Sequence, residues 1–213
     1  MHPNYVYPMG TTIRNFIFDM GGVLVDVDQQ RSIEAFKQFG LAEAEQWIDK
    51  YQQAGVFEEL ELGNISSEVF CSKIRHLSHD MLTNEQVIDC WNSMLGEVKP
   101  WKLDLLLSLR KRYMVYLLSN TNPIHWDAVC TRLFRYRGFD VHDFFEEEYL
   151  SYKMHMAKPS REIFQATLNC AGIMPAETML IDDSPANCET ARSLGMQVYC
   201  PKDCDDWRQL FDN

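Results

Sequence analysis

Carboxylates stand at the ends of two apolar segments of the chain. Asp19 follows the apolar run 13–18 and precedes two glycines, and the neighbours Asp182 and Asp183 follow the triplet Met-Leu-Ile. A carboxylate before a glycine turn can be held rigidly, with backbone amides beside it that face an anion. Two adjacent carboxylates repel each other, and a hard divalent cation relieves that repulsion. Taken singly, a turn-forming Asp19 is an equally good interpretation, and a helix-capping Asp183 is a better one.

A hydroxyl, an amide and a cation occur in two further segments. Ser119 and Asn120 follow the apolar run 113–118, and Lys158 precedes a proline, which favours an extended backbone. Hydroxyls and amides at a strand end bind phosphate well. Alone, each feature is more often a polar turn or a solvated lysine. Together, the four segments indicate a site for phosphate and a metal far more specifically than any one of them does, because all four are predicted strand ends or loops.

The elements that must position these residues alternate between strands and helices. Short apolar strands are predicted at residues 13–18, 113–118, 144–150, 179–181 and 196–200, with helical spacing between the later ones. This alternation implies parallel βαβ units, so the predicted fold class is α/β, a Rossmann-like parallel sheet flanked by helices. Ligands bind outside the carboxyl ends of such strands. We therefore expect Asp19, Ser119 and Asp182 to meet at one sheet edge.

Residues 28–99 show helical spacing without a convincing strand. The sequence thus predicts an all-helical cap, inserted into a core formed by residues 12–27 and 100–213. The cap leaves the sheet beside the candidate site, so it can cover the site and select the substrate. Its aromatic residues are expected to form the cap core rather than a sugar platform. They are Trp47, Tyr51, Phe57 and Trp91.

The segments FDMGGVLVD, LLSN, AKP and LIDDSPAN, in that order, resemble the four motifs of the haloacid dehalogenase (HAD) superfamily. The resemblance spans residues 13–200, and the helical insertion resembles the superfamily's smaller helical cap. Within the superfamily, FDMGGVLVDVD, LLSNTN and AKPSREIF look most like the bacterial α-D-glucose-1-phosphate phosphatase group.

The resemblance implies a magnesium-dependent phosphomonoesterase for a small phosphorylated metabolite, with a sugar phosphate expected. Asp19 would attack phosphorus and form an aspartyl-phosphate that water hydrolyses. Ser119 and the Asn120 amide would hold phosphoryl oxygens, and Lys158 would balance the negative charge. The implied Mg²⁺ ligands are Asp19, the Gly21 carbonyl and Asp183, with Asp182 as an indirect partner and Asn187 orienting Asp183 or a water.

One position departs from the superfamily pattern. Most of its phosphatases carry a second Asp two residues after the nucleophile, which protonates the leaving oxygen, and this chain has Gly21 there. General acid–base help is typically worth about 10²–10⁴-fold. The candidate replacements are Asp26, His125 and a substrate hydroxyl, although Asp26 is expected to cap the helix beginning near Gln29.

Because Gly21 cannot protonate a leaving oxygen, two other functions remain open. A catalytically weak metal- and phosphate-binding regulatory protein would need no acid, and a phosphomutase would use a long-lived aspartyl-phosphate. Carbon–halogen hydrolysis is disfavoured, because it needs no magnesium and those enzymes lack the acid pair of Asp182 and Asp183.

The amino-acid composition limits which binding partners and which cellular compartment are expected. The 213 residues are 46% hydrophobic, enough for a sizeable core, and the net charge of −11 argues against nucleic acid and anionic membranes. Seven scattered cysteines predict free thiols in a reducing cytoplasm. No signal peptide or membrane-length apolar stretch is evident. The oligomeric state and the role of the cysteines are left open.

Overall fold

The structure is a computed structural model that describes residues 13–49, 53–79, 81–201 and 207–211. Its strands are β1 (Asn15–Phe18), β2 (Val25–Val27), β3 (Leu95–Val98), β4 (Met114–Ser119), β5 (Glu148–Leu150), β6 (Thr178–Ile181) and β7 (Gln197–Tyr199). Five of them form a parallel sheet in the order β5-β4-β1-β6-β7. The predicted α/β class is confirmed, and β1 lies in the middle of the sheet.

The helices are α1 (Gln29–Gln38), α2 (Ala44–Trp47), α3 (Gly55–Glu61), α4 (Ser67–Leu77), α5 (Asn84–Asn92), α6 (Pro100–Leu109), α7 (Pro123–Ala128), α8 (Val141–Phe144), α9 (Ser151–Met154), α10 (Arg161–Ala171) and α11 (Pro185–Ser193). A π-helical turn follows α7 at Val129–Leu133, and 3₁₀ turns lie at Pro175–Glu177 and Trp207–Leu210.

Alternate residues of each central strand enter different cores, because side chains in a strand point to opposite faces. Phe16 and Phe18 of β1 join a cluster with residues of α6 and α8. Ile17 between them joins a second cluster with residues of α10 and α11. Helices therefore cover both faces of the sheet. Fully burying one such side chain stabilises the fold by about 1.5–3 kcal/mol.

The helical insertion has a core of its own, built from residues of α1 to α5 and completed by Ile124 of α7. Phe57 and Trp91 are buried there, with ring centroids 4.7 Å apart. Trp47 packs against the same cluster, and Tyr51 lies outside the described residues. The expectation that the aromatic residues form a core thus holds for the three described ones. The boundaries at residues 28 and 99 remain a proposal.

The prediction of a purely helical insertion was wrong in one respect. Strand β3 lies inside residues 28–99 and pairs antiparallel with β2, joining Val25 to Val98 and Val27 to Leu95 around an irregularity. This two-stranded ribbon leads the chain into and out of the helical segment. Each strand is too short to show an alternating pattern. The two partners are also distant in sequence, so no local signal indicates their pairing.

The predicted strand at residues 144–150 is shorter than expected. Only Glu148–Leu150 pairs with β4, whereas Val141–Phe144 forms α8. Asp140 begins that helix with a capping box that it shares with Asp143. This local capping outweighs the apolar character of the segment. Over the described ranges, no helix combines the length and apolar character that crossing a bilayer requires.

Candidate active site

The three predicted strand ends meet at one edge of the sheet. Strands β4, β1 and β6 are neighbours, and they end at Ser119, Phe18 and Ile181. The Asp19 amide donates to the Ile181 carbonyl at 2.9 Å, which continues the pairing of β1 and β6 by one residue. Asp19 consequently lies beside Asp182, as the sequence predicted.

Lys158 joins these two carboxylates. Its Nζ is 2.9 Å from Asp19 Oδ1 and 2.6 Å from Asp182 Oδ2, and its side chain is 1% exposed. Burial lowers the pKa of Lys158, but the carboxylates of Asp182 and Asp19 outweigh burial and raise it above its usual value. The lysine is therefore a fixed positive charge between two strand ends.

The Asn120 side chain holds Lys158 in place. Its Nδ2 donates to the Lys158 carbonyl and its Oδ1 accepts from the Lys158 amide, both at 2.8 Å. The two loops that follow β4 and α9 are thereby tied together. Because the side chain of Asn120 is committed to Lys158, only its backbone amide can serve the predicted contact with phosphate.

Asp182 is fully buried, and its oxygens are occupied. They accept from the Ser184 amide at 2.9 Å, from Asn187 Nδ2 at 2.9 and 3.1 Å, and from Lys158. Asp182 therefore anchors the lysine, which supports an indirect relation to a metal. Asn187, which was expected to orient Asp183 or a water, donates its side-chain amide to Asp182.

The acidic cluster fits a divalent cation. One oxygen each of Asp19, Asp182 and Asp183 lies within 4.8 Å of the others, and Asp19 and Asp183 also line a cavity with Gly21. An all-oxygen donor set suits a hard ion such as Mg²⁺. Gly22 leaves room for this arrangement, since a Cβ there would stand 2.4 Å from Asp183 Oδ2.

Burial raises the pKa of Asp19 to about 7. Desolvation is the largest cause, and the charges of Asp182 and Asp183 add to it, while Lys158 acts in the opposite direction. The Met20 amide also donates to Asp19 Oδ1 at 2.7 Å and helps to fix the carboxylate. A cation at the cluster would favour the ionised form that a nucleophile needs.

Substituting Gly22 by alanine should disrupt the acidic cluster. Gly22 has a φ of +75°, and the added methyl group would collide with the carboxylate of Asp183. Gly40→Ala is a matched control, because Gly40 has a φ of +83° and open space around its Cβ position. Backbone strain alone costs about 1–2 kcal/mol. We expect Gly22→Ala to lower the melting temperature more than Gly40→Ala and to lose stabilisation by MgCl₂, whereas equal effects would contradict the collision.

The cavity beside the cluster is bounded by both parts of the chain. On the sheet side it is lined by Asp19, Gly21, Gly22, Asn120, Thr121, Lys158 and Asp183. The insertion contributes Gln29, Gln53, Glu61, Met94 and Leu95. Ser119 is 1% exposed, and its Oγ lies 3.3 Å from the Asn120 carbonyl. Its predicted contact with phosphate remains a prediction.

The two side chains proposed as replacement acids are poorly suited to that role. His125 lines the cavity, but it stacks on Trp91 and its Nε2 lies 3.1 Å from the Trp91 carbonyl. Burial lowers its pKa to about 4, against the opposing effect of that hydrogen bond, so the ring is neutral. Asp26 faces Lys102 at 3.5 Å, and Asp28 rather than Asp26 caps α1.

Sequence reasoning missed Ser151 and Glu61. Ser151 Oγ accepts from the Thr121 amide at 2.9 Å and lies 2.7 Å from the Glu61 carbonyl, to which it can donate. Ser151 directly follows a predicted strand end, which was a usable signal. Glu61 sits in the acidic stretch EELE, and nothing in that stretch distinguishes it from a solvated glutamate.

Comparisons with known proteins agree with this architecture. The profile of haloacid dehalogenase-like hydrolases matches residues 13–195. The D-ribitol-5-phosphate phosphatase of Bacteroides thetaiotaomicron is 40% identical over 197 residues, which cover 92% of this chain and 96% of that protein. The chain therefore belongs to the haloacid dehalogenase-like hydrolases, and the prediction of a hydrolase of the phosphatase type is confirmed. The finer resemblance to glucose-1-phosphate phosphatases remains a prediction.

Solved structures are similar over nearly the whole chain. A HAD family enzyme of Bacteroides thetaiotaomicron, in complex with magnesium and inorganic phosphate, is 47% identical with a TM-score of 0.88, covering 93% of this chain and 99% of that one. A HAD-like hydrolase of Porphyromonas gingivalis is 37% identical with a TM-score of 0.87, covering 95% and 100%. The L-2-haloacid dehalogenase of Xanthobacter autotrophicus, 15% identical with a TM-score of 0.58 over 95% and 84%, shares the fold.

Proposed function

We propose that this enzyme is a magnesium-dependent phosphomonoesterase that hydrolyses a sugar phosphate or sugar-alcohol phosphate through an aspartyl-phosphate on Asp19. The observation that carries the proposal is the position of Asp19 at the carboxyl end of β1, where it contacts the Lys158 ammonium and lies beside the acidic pair that follows β6. The similar phosphatase acts on D-ribitol 5-phosphate, and a similar structure contains magnesium and phosphate. Both findings favour this substrate class and this cation.

The contacts of each side chain indicate its role in the reaction. Lys158 and the Met20 amide hold Oδ1 of Asp19, so the carboxylate meets the substrate in one orientation. Asp19 attacks phosphorus, the ester P–O bond breaks with its electron pair on the leaving oxygen, and water then hydrolyses the acyl phosphate. Mg²⁺, held by Asp19, the Gly21 carbonyl and Asp183, would neutralise the repulsion between the carboxylate and the phosphate.

Lys158 has a second task during the reaction. It is the cation nearest to Asp19 in the described cavity wall, and it stays charged because two carboxylates flank it. A fixed charge in a water-poor site stabilises the negative charge that develops on the phosphoryl oxygens. Asn120 and Asp182 keep the lysine in position, so they act through it.

The direct test is phosphate release from a panel of esters, with MgCl₂ and with chelator. The panel contains ribitol 5-phosphate, glucose 1-phosphate, other sugar phosphates and acetyl phosphate. We expect magnesium-dependent release, with the highest kcat/KM for a sugar or sugar-alcohol phosphate. Absence of release from every ester, combined with thermal stabilisation by magnesium and phosphate, would indicate a binding protein. Transfer of phosphate between hydroxyls of one sugar would indicate a mutase.

A further inference from the structure

The position two residues after the nucleophile, which usually supplies the acid for the leaving group, cannot do so in this enzyme. Gly21 carries no side chain, and a Cβ on it would lie 3.3 Å from Val27 Cγ2, tighter than an ordinary contact. Val27 belongs to β2 of the ribbon that leads into the insertion. A proton donor for the leaving oxygen must therefore come from another part of the cavity wall or from the substrate itself.

Few described groups in the cavity wall could donate that proton. Asp19 is the proposed nucleophile, Asp183 is a proposed metal ligand, and Lys158 is bound between Asp19 and Asp182. The ring of His125 is tied to the Trp91 carbonyl. The titratable lining residue that remains is Glu61, at the end of α3 in the insertion. Its carboxyl group has no hydrogen-bond or ion-pair partner within the described parts of the chain.

The backbone around Glu61 is fixed to the sheet side of the molecule. The Glu61 carbonyl lies 2.7 Å from Ser151 Oγ, which also accepts from the Thr121 amide of the cavity wall. The next carbonyl, of Leu62, lies 2.9 Å from the Nδ1 of His155. These bonds place Glu61 relative to the loop after β4 and make its position part of the built site.

The following glycine shows how closely the two parts approach. Gly63 has a φ of +68°, and a Cβ on it would stand 2.1 Å from the Tyr152 carbonyl in α9. Only glycine permits this contact, because any side chain would push α3 away from α9. The turn after Glu61 is thus shaped to hold the glutamate over the cavity.

We propose that Glu61 is the general acid and base of the reaction, supplied by the insertion in place of the acid missing at Gly21. The inference rests on the proposed phosphatase function. In the first step Asp19 bonds to phosphorus, the ester bond breaks, and the Glu61 carboxyl proton passes to the leaving oxygen to give the alcohol. In the second step water attacks the acyl phosphate and returns a proton to the Glu61 carboxylate, which releases phosphate and restores both side chains.

The environment of Glu61 keeps the proton available. Desolvation, with a smaller contribution from the charge of Glu58 on the same helix, raises its pKa to about 8. A carboxyl group with such a pKa is mostly protonated at neutral pH and can act as an acid. The other charged or titratable groups that line the same cavity are Asp19, His125, Lys158 and Asp183.

This shift also makes a prediction about stability. The folded protein holds the Glu61 proton more tightly than the unfolded chain does, so Glu61 lowers stability progressively as pH rises from about 4.5 to about 8. Glu61→Gln should therefore raise the melting temperature at pH 9 and leave it unchanged at pH 4. An unchanged melting temperature at both pH values would show that the carboxyl is solvated, which contradicts its placement.

The dependence on the leaving group tests the catalytic role. An alkoxide from a sugar-alcohol phosphate needs a proton to leave, whereas acetate from acetyl phosphate and nitrophenolate from p-nitrophenyl phosphate do not. We expect Glu61→Gln to lower kcat/KM for ribitol 5-phosphate by about 10²–10³-fold. The kcat/KM for acetyl phosphate or p-nitrophenyl phosphate, which reports the transfer of phosphate to Asp19, should change only slightly, whereas kcat should fall for every substrate because the second step loses its base. This retained activity also shows that the variant folds and that Asp19 still reacts.

A neighbouring glutamate provides the control. Glu59 lies on the same helix, but it pairs with Lys73 on the exposed surface at 3.2 Å. Glu59→Gln should leave both classes of ester unaffected. An equal loss of kcat/KM on activated and alkyl substrates in Glu61→Gln, or an unchanged kcat/KM on both, would overturn the assignment. If the wild-type enzyme releases no phosphate from any ester, the proposed function itself is wrong, which is a distinguishable result.

Discussion

Asp19→Asn should abolish phosphate release while leaving the fold intact. Asparagine has nearly the same shape, but its amide cannot attack phosphorus, and the loss of a nucleophile costs on the order of 10⁴-fold or more in kcat. The ion pair between Lys158 and Asp182 persists in this variant, so the sheet edge keeps its arrangement. Steady-state phosphate release and circular dichroism measure the two expectations.

Asp28→Asn is the matched control for this experiment. Asp28 caps α1 by accepting from the Gln30 amide, and asparagine caps helices equally well. The control should retain full activity. Turnover by Asp19→Asn within tenfold of the wild type would require a different nucleophile and would remove the basis of the proposed mechanism.

Lys158→Met should impair both activity and stability. The substitution leaves Asp19 and Asp182 facing each other without a cation, and the side chain of Asp182 is 0% exposed. Removing one partner of a buried ion pair costs about 3–5 kcal/mol of unfolding free energy. Losing a fixed charge beside the developing phosphoryl charge costs on the order of 10²–10³-fold in kcat. Denaturant unfolding and phosphate release measure the two losses.

A double substitution separates the two losses. Lys158→Met with Asp182→Asn removes both buried charges of the pair, so much of the lost stability should return, while activity stays low. Lys73→Met serves as an exposed control, because its ion pair with Glu59 contributes less than about 1 kcal/mol. If activity returns with stability in the double variant, Lys158 is a structural residue only.

The strand ends could be predicted because two local signals agree there. The apolar runs before Asp19, Ser119 and Asp182 are short and mostly buried, and a polar residue follows each of them. Parallel strands that alternate with helices then leave those residues one common edge. The meeting of these residues at one sheet edge follows from this topology, so it could be predicted from the sequence.

The contributions of the insertion could not be predicted in the same way. Glu61 reaches the cavity only because α3 docks on α9, and that contact joins segments far apart in the chain. Amphipathic spacing reports which face of a helix is buried, but it does not report which neighbour that face meets. The ribbon of β2 and β3 could not be predicted for the same reason, since its two strands are far apart in the sequence.

Asp182 shows a subtler limit. The two adjacent acids by themselves suggested a cation without separating their roles, and only the resemblance to the superfamily implied a direct role for Asp183 and an indirect one for Asp182. Asp182 accepts from Lys158, Asn187 and the Ser184 amide, while Asp183 lines the cavity. A one-residue step along the backbone turns the side chain to the opposite side, so neighbours in sequence can have different environments.

Trapping the covalent intermediate tests the central claim most directly. The enzyme is mixed with ribitol 5-phosphate and MgCl₂, quenched during turnover and reduced with borohydride, which converts an acyl phosphate into an alcohol. Peptide mass spectrometry then locates the change. Homoserine at position 19, formed only with substrate and absent from Asp19→Asn, is the predicted result. Efficient turnover with no modification at position 19, or with modification of another carboxylate, would contradict the mechanism.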